Sequence, residues 1–387
     1  MNRRCASVWG FRFSSTYSAA RPLRASVAPI ERIALCLAAA LLLSSPLRAQ
    51  NPDASAGLTI SGTVAGSDGR PLPYSTASIS EIGAERFSND LGKFFLTNLA
   101  PGSYHLRVKQ LGFAAFDTLI VVGPDRSPPA LHVVLVPVPF RLATVTVRGR
   151  KSRCVVPGTD SIDVDDSFGL LLTELQKNAE RERLLMTAYP FEFRLLKFYE
   201  AAETRVGPTP PPFETALYRS DERPRYAPGQ MVRTTAGLKP PNNRVMVIPV
   251  LADLGDPAFL RSHCYEYGGT QTEGANSTVR VDFSPTPSLK APDVEGSVFL
   301  DVASFVIKRA VFRLTRPDRL NPPVISLEVT TTFREIFPGV AVVDEVRSVQ
   351  TVRTLGYSSG TSDLAERQHL LGFKFLSGQP GDSLRRQ

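Results

Sequence analysis

One tryptophan, four histidines, four cysteines and four methionines are all that 387 residues supply of the side chains that often stack on sugars, ligate metals or cross-link chains. The tryptophan is Trp9, inside a basic leader, so the rest of the chain has no indole platform for a sugar ring. Also missing are HExxH, the phosphate loop GxxxxGK(S/T) and the fingerprint GxGxxG, which removes the common zinc-peptidase, nucleotide-binding and dinucleotide-binding readings. No membrane anchor is expected at the amino terminus either. Its uninterrupted apolar run, Ile33 to Leu43, has eleven residues, against about 18 to 20 needed to cross a bilayer.

That run follows Arg32, ends in Ser44, Ser45 and Pro46, and is succeeded by a small-residue cut after Ala49 and before Gln50. Basic, apolar, cleavable is the order of a secretory signal, so residues 1–49 read as a signal peptide and residues 50–56 as a polar lead. An organelle import leader is the other reading of so long a basic region. Seven arginines and one acid, Glu31, fall in residues 1–49, so their removal takes the net charge from +8 to +2. The basicity therefore belongs mostly to the leader. Only Arg148 to Arg153, RGRKSR, resembles a basic cluster, and its plain reading is a solvated linker, so no nucleic-acid partner is expected. Two cysteines remain after the cut, Cys154 and Cys264; in an oxidising compartment such a pair suggests one disulfide, with two separate buried thiols as the alternative.

From Leu58 the hydrophobic period is two. Leu58, Ile60 and Val64 alternate with Thr59, Ser61 and Thr63, which places the apolar set on one strand face. Asp68-Gly69, Asp90 with Gly92, and Pro101-Gly102 supply turns between successive strands. Tyr104, Leu106 and Val108 point inward and Ser103, His105 and Arg107 outward; Leu119 to Val122, Leu131 to Leu135, and Val145 with Val147 continue the series. Short strands at roughly ten-residue spacing indicate a sandwich.

The phrases ISGTVAGSDGRPLPYSTASI, SNDLGKFFLTNLAPGSYHLRVKQLGF and LHVVLVPVPFRLATVTV resemble the carboxypeptidase regulatory-like domain over about residues 57–150. The resemblance implies a seven- or eight-stranded transthyretin-like β-sandwich, a module also found ahead of the plug of many outer-membrane receptors. It implies no chemistry of its own.

Residues 151–190 read as a linker followed by a helix capped near Asp166 or Ser167. Leu171, Leu175 and Ala179 form its apolar stripe, while Glu174, Lys177, Glu180 and Arg181 are assigned to water. Pro190 ends it, and Phe191, Phe193 and Leu195 return to strand period. Residues 191–376 read as a curved antiparallel β domain with a Pro-rich surface loop or lid at 207–229, a short helix at Asp256-Pro257, and a polar tail at 377–387. Strands are expected near 279–283, 294–301, 305–314, 324–335 and 340–352. The whole is mainly β. The EGSVFLDVASFVIKRAVF pattern resembles the half-barrels of periplasmic lipid and lipoprotein carriers, in which a concave apolar face holds a ligand or is plugged by the protein's own helix.

His263-Cys264-Tyr265-Glu266 has HxxE spacing, and with His369 it gives the donor count of a zinc site. Against it, zinc carboxypeptidases alternate helices and strands whereas residues 245–352 read as a meander, and none of the eighteen residues after His369 is the required glutamate. His105 and His132 fall at outward strand positions. Asp165-Asp166 and Asp344-Glu345 are adjacent pairs, which on a strand face opposite sides. For sugar, the aromatics on offer are Tyr74, Tyr104 and Phe113, with Tyr104 inward. The sequence therefore points to an exported, non-enzymatic envelope protein, periplasmic, outer-membrane-associated or secreted, with no cofactor and no transmembrane span after signal removal. Its sandwich docks or positions, and its second domain binds an envelope protein, an outer-membrane receptor or an apolar ligand. A carbohydrate-binding protein and a divergent zinc carboxypeptidase are the alternatives.

Overall fold

The computed structural model describes residues 11–12, 57–138, 166–200, 213–222, 225–234, 244–273, 276–319, 324–354 and 360–382. Of the leader it describes only β1 (Phe11–Arg12), which pairs with β12 (Arg244–Met246), itself paired with β11 (Val232–Thr234).

Alternation builds the first unit. Strands β2 (Leu58–Gly66), β3 (Thr76–Ile79), β4 (Ala84–Phe87), β5 (Lys93–Leu99), β6 (Gly102–Lys109), β7 (Phe116–Val122) and β8 (Leu131–Leu135) form two sheets, ordered β5-β2-β8 and β4-β3-β6-β7. Their inward residues, among them Ile60, Val64, Ile79, Phe94, Leu106, Val108 and Val133, make one core. The turns expected from the sequence carry it. Asn89 Oδ1 accepts from Leu91 N and Lys93 N at 3.0 and 2.8 Å, and Gly92 takes φ +72° where a Cβ would lie 2.4 Å from Val64 O, so only glycine fits. The strand expected at Val145 and Val147 lies outside the described residues.

Helix α1 (Asp166–Ala188) follows, then a nine-stranded antiparallel sheet: β9 (Phe191–Glu200), β10 (Phe213–Arg219), β13 (His263–Glu273), β14 (Asn276–Pro285), β15 (Val294–Asp301), β16 (Ile307–Leu314), β17 (Val324–Phe337), β18 (Val340–Thr354) and β19 (Gly360–Phe375). Their order is β10-β9-β19-β18-β17-β16-β15-β14-β13. Two short helices, α2 (Leu251–Leu254) and α3 (Pro257–Ser262), precede β13, and Asp256 caps the second by accepting from Ala258 N at 2.7 Å. The expected Pro-rich loop is thus only partly a loop. Residues 213–219 of it are an edge strand and Tyr226 is buried. Residues 201–212 lie outside the described residues, as do 383–387 of the polar tail, and within that tail Pro380 is buried.

The apolar stripe of α1 packs as the heptad-like spacing requires: Leu171, Leu175 and Ala179 lie on Val279, Val298, Ile307 and Phe312 of the sheet, and Leu184 and Leu185 on Phe191, Phe193 and Val342. Its polar side does not face water, which corrects the sequence reading. Glu174, Lys177 and Arg181 are all at most 5 % exposed, because the sandwich covers them. Glu174 accepts from Gly112 N at 2.9 Å and pairs with Lys177 at 2.7 Å; Lys177 Nζ also donates to Gln110 O and Phe113 O at 3.1 and 2.6 Å. Arg181 donates to Gln110 Oε1 at 2.9 Å and to Gly339 O at 2.7 Å, joining the sandwich to the β17–β18 turn. Asn178, also buried, donates to Phe305 O and accepts from Ile307 N. Lys109 and Glu180 pair at 2.7 Å at the rim, and Tyr74 of the sandwich stacks on Phe337 at 4.8 Å. Of the four polar side chains assigned to water, only Glu180 keeps appreciable exposure. A buried pair broken on one side leaves its partner charged in a low dielectric. Lys177→Met is therefore expected to cost about 3 to 5 kcal/mol in urea unfolding, and adding Glu174→Gln should recover much of it.

Candidate functional site

Side chains that alternate across a strand cannot both serve one metal from positions three apart, and this decides the HxxE pattern. His263 and Glu266 leave β13 on opposite faces, and His369 stands on β19 with five strands between, a separation of roughly 29 Å at the usual strand spacing. His369 instead meets Glu345 at 3.1 Å and the edge of Phe198. The sequence-suggested zinc donors are not brought together. Among the described residues no three metal-ligating side chains converge.

His263 belongs to a different cluster, which the sequence did not disclose because its members are dispersed. The ring stacks on Phe259 at 3.9 Å; Nε2 lies 3.0 Å from Val294 O and 3.5 Å from Asp293 Oδ1, and Nδ1 lies 3.1 Å from Ser262 Oγ. Nδ1 also lies 3.1 Å from Phe259 O, so each ring nitrogen faces a backbone carbonyl that can only accept. Asp293 in turn accepts from Tyr226 Oη at 2.8 Å, Gly229 N at 2.7 Å and Val294 N at 2.8 Å. Serine, histidine and aspartate thus meet, yet the His263 and Asp293 side chains are fully buried and Ser262 Oγ lies 2.8 Å from Ala258 O. The cluster ties the 225–231 segment to the start of β15. Burial raises the Asp293 pKa, but the hydrogen bonds from His263, Gly229, Val294 and Tyr226 outweigh it and hold the carboxyl below its ordinary 3.8.

The apolar concavity is where a ligand has room. Between the carboxy-terminal half of α1 and strands β9, β18 and β19 lies a cavity of about 40 Å³, lined by Leu185, Met186, Phe191, Phe193, Val342 and Phe373. Glu182 also lines it, and accepts from the backbone N–H of Ala252. The helix fills most of the sheet's apolar face, and this cavity is the space left over.

Residues 59–136 match the family model of the carboxypeptidase regulatory-like domain. The sandwich matches that domain. Within the regulatory-like domain, His105 and His132 do point outward, His105 to Glu81 at 2.6 Å and His132 to Thr63 at 3.0 Å. Tyr104 is inward, its hydroxyl donating to Ala100 O. Tyr74 is spent on Phe337 and Phe113 packs on the core with its carbonyl on Lys177, so neither is an open platform for sugar.

The chain is also similar to three solved structures: an outer membrane lipoprotein-sorting protein domain from Vibrio parahaemolyticus, a LolA superfamily protein from Nitrosomonas europaea and a DUF1329 family protein from Desulfovibrio piger. Identities are 12, 8 and 10 %, the shares of this chain 55, 54 and 56 %, the shares of those chains 96, 96 and 98 %, and the TM-scores 0.29, 0.28 and 0.28. Likeness of this degree carries no argument about ligand or activity. No curated protein matches the sequence.

One serine pattern escaped the sequence reading: residues 356–360 spell GYSSG. A nucleophile elbow joins a strand to a helix, whereas this segment joins the antiparallel strands β18 and β19. Residues 355–359 lie outside the described residues.

Because its folded pKa lies below that of an unfolded aspartate, Asp293 contributes stability that is present above about pH 4 and is lost as pH falls through the lowered value. Urea midpoints between pH 6 and pH 2 should fall more steeply for the native protein than for Asp293→Asn. Equal slopes would contradict the depressed pKa.

Proposed function

We propose that this is an exported, non-enzymatic binding protein of the cell envelope, with the regulatory-like domain as a fixed docking module and the sheet under α1 as the receptor for an apolar ligand. The observation that carries the reading is the cavity beneath the carboxy-terminal half of α1, whose walls are mainly apolar, with Glu182 and Ser220 as the polar members. At about 40 Å³ it takes little more than the tip of a chain, so a larger ligand requires the walls to yield. Met186, unbranched and adaptable, and the end of α1 are the parts able to do so. Export rests on the basic, apolar, cleavable order of residues 1–49. No helix among the described residues is long and apolar enough to cross a membrane.

An oxidising compartment fits a bridge between Cys154 and Cys264. Cys264 is buried and is not a free thiol, while Cys154 lies outside the described residues. Such a bridge would close a loop of over a hundred residues, worth about 4 to 5 kcal/mol on chain-entropy grounds.

The ligand reading is checked by titrating an environment-sensitive fluorescent fatty acid into the protein. Phe193→Ala, which enlarges the cavity, should strengthen binding, and Met186→Trp, which fills it, should abolish binding. Unchanged affinity in both variants would refute the site. The bridge is checked by mass spectrometry of unreduced peptides: a Cys154–Cys264 linked pair is expected, and alkylation of both residues without reduction would exclude it.

A further inference from the structure

The face of the nine-stranded sheet turned away from α1 carries a second, chemically opposite site. Val279, Val281, Val298 and Ala310 point to the helix, so by alternation Arg280, Asp282, Ser297 and Arg309 point the other way. There a cleft of about 530 Å³ runs across β13 to β17, with Gln271, Arg280, Phe299, Arg309, Arg313 and Thr330 among its walls.

Strand register places Arg280, Phe299 and Arg309 in one row, each directly opposite the next. The Arg309 guanidinium lies over the Phe299 ring, 4.0 Å from its centroid, and among the described residues its one hydrogen bond is a long one, 3.4 Å to Gln271 Oε1. The other two cations of the cleft already have acids: Arg280 with Asp282 at 3.0 Å and Arg313 with Glu328 at 2.7 Å. Among the described residues Arg309 has no carboxylate partner. Gly268, at the bulge of β13, leaves room for the Arg280–Asp282 pair, since a Cβ there would come within 2.3 Å of Arg280 Nε.

A guanidinium held over an aromatic ring has lost much of its rotamer freedom before any ligand arrives, and its planar fork matches a carboxylate. Charge sets the valence. Arg280, Arg309 and Arg313 are balanced by Asp282, Glu295 and Glu328, so the cleft is neutral when empty and becomes singly negative with a monoanion bound. With Asp282 and Glu328 already paired, Arg309 is the one open counter-charge, so the second negative charge of a dianion would go uncompensated. The remaining walls, Gln271, Ser297 and Thr330, are neutral hydrogen-bonding groups suited to hydroxyls or amides. We propose that Arg309 binds the carboxylate of a small polar monoanion, of which a uronic-acid saccharide end and a peptide carboxy terminus are the two sources with this chemistry.

Isothermal titration calorimetry on the mature chain separates them, using galacturonate and its methyl ester, and N-acetyltriglycine and its amide. One acid should bind at least about tenfold more tightly than its uncharged derivative. Arg309→Gln should erase that difference, and Arg309→Lys, which keeps the charge without the fork, should retain less than a tenth of the affinity. Circular dichroism spectra matching the native protein confirm that either variant is folded. Which acid binds identifies the source. Binding of neither acid, equal binding of acid and derivative, an unchanged Arg309→Gln, or tighter binding of inorganic phosphate than of both acids would each overturn the assignment.

Discussion

Helix α1 is buried on two sides at once, and the structure depends on how its second side is satisfied. One stripe is apolar and closes the nine-stranded sheet. The other carries Glu174, Lys177 and Arg181, and these face the loop 110–113 of the regulatory-like domain and the turn at Pro338-Gly339. Buried charges are tolerated only when paired and hydrogen-bonded, and here, besides the Glu174–Lys177 pair itself, the partners come from two separate segments, 110–113 and 338–339. The lysine and arginine hydrogens in turn find acceptors in a dry interface where an unmade hydrogen bond is costly. Arg181 stays cationic at neutral pH although burial lowers its pKa to about 10.

A module that often travels as an accessory is therefore held here as part of a larger core. The sandwich loop backs α1 on the side away from the sheet, so α1 cannot leave the apolar concavity without disturbing the contacts of Lys177 and Arg181. The cavity and the sandwich are mechanically linked through one helix. The Asp293 cluster plays the corresponding part at the far end of the sheet, holding Tyr226 and Gly229 against β15.

Much of the fold was legible because β structure writes its burial into a period of two. Ile60, Val64, Leu106 and Val108 could be assigned inward from the sequence and are inward; 294–301 and the neighbouring strands were placed near their true limits. Strands β4, β10 and β19 escaped, since polar residues such as Glu85, Arg219, Arg367 and Gln368 interrupt their pattern. The site was less legible. His263, Glu266 and His369 had the right spacing and the wrong faces, and Asp293 and Tyr226 are far apart in the chain.

By itself the sequence determined the strands, the turns and the helix, because each is set by neighbours a few residues away: Gly92 by its positive φ, α1 by its stripe, the sandwich by alternation. Only the tertiary structure decided which polar residues are buried. Hydropathy assigns Lys177 and Arg181 to solvent, and nothing local indicates that Gln110, Phe113 and Gly339 will supply the acceptors that make their burial tolerable. Desolvation is settled by whichever surfaces happen to meet, and residues distant in sequence meet only once the chain has folded.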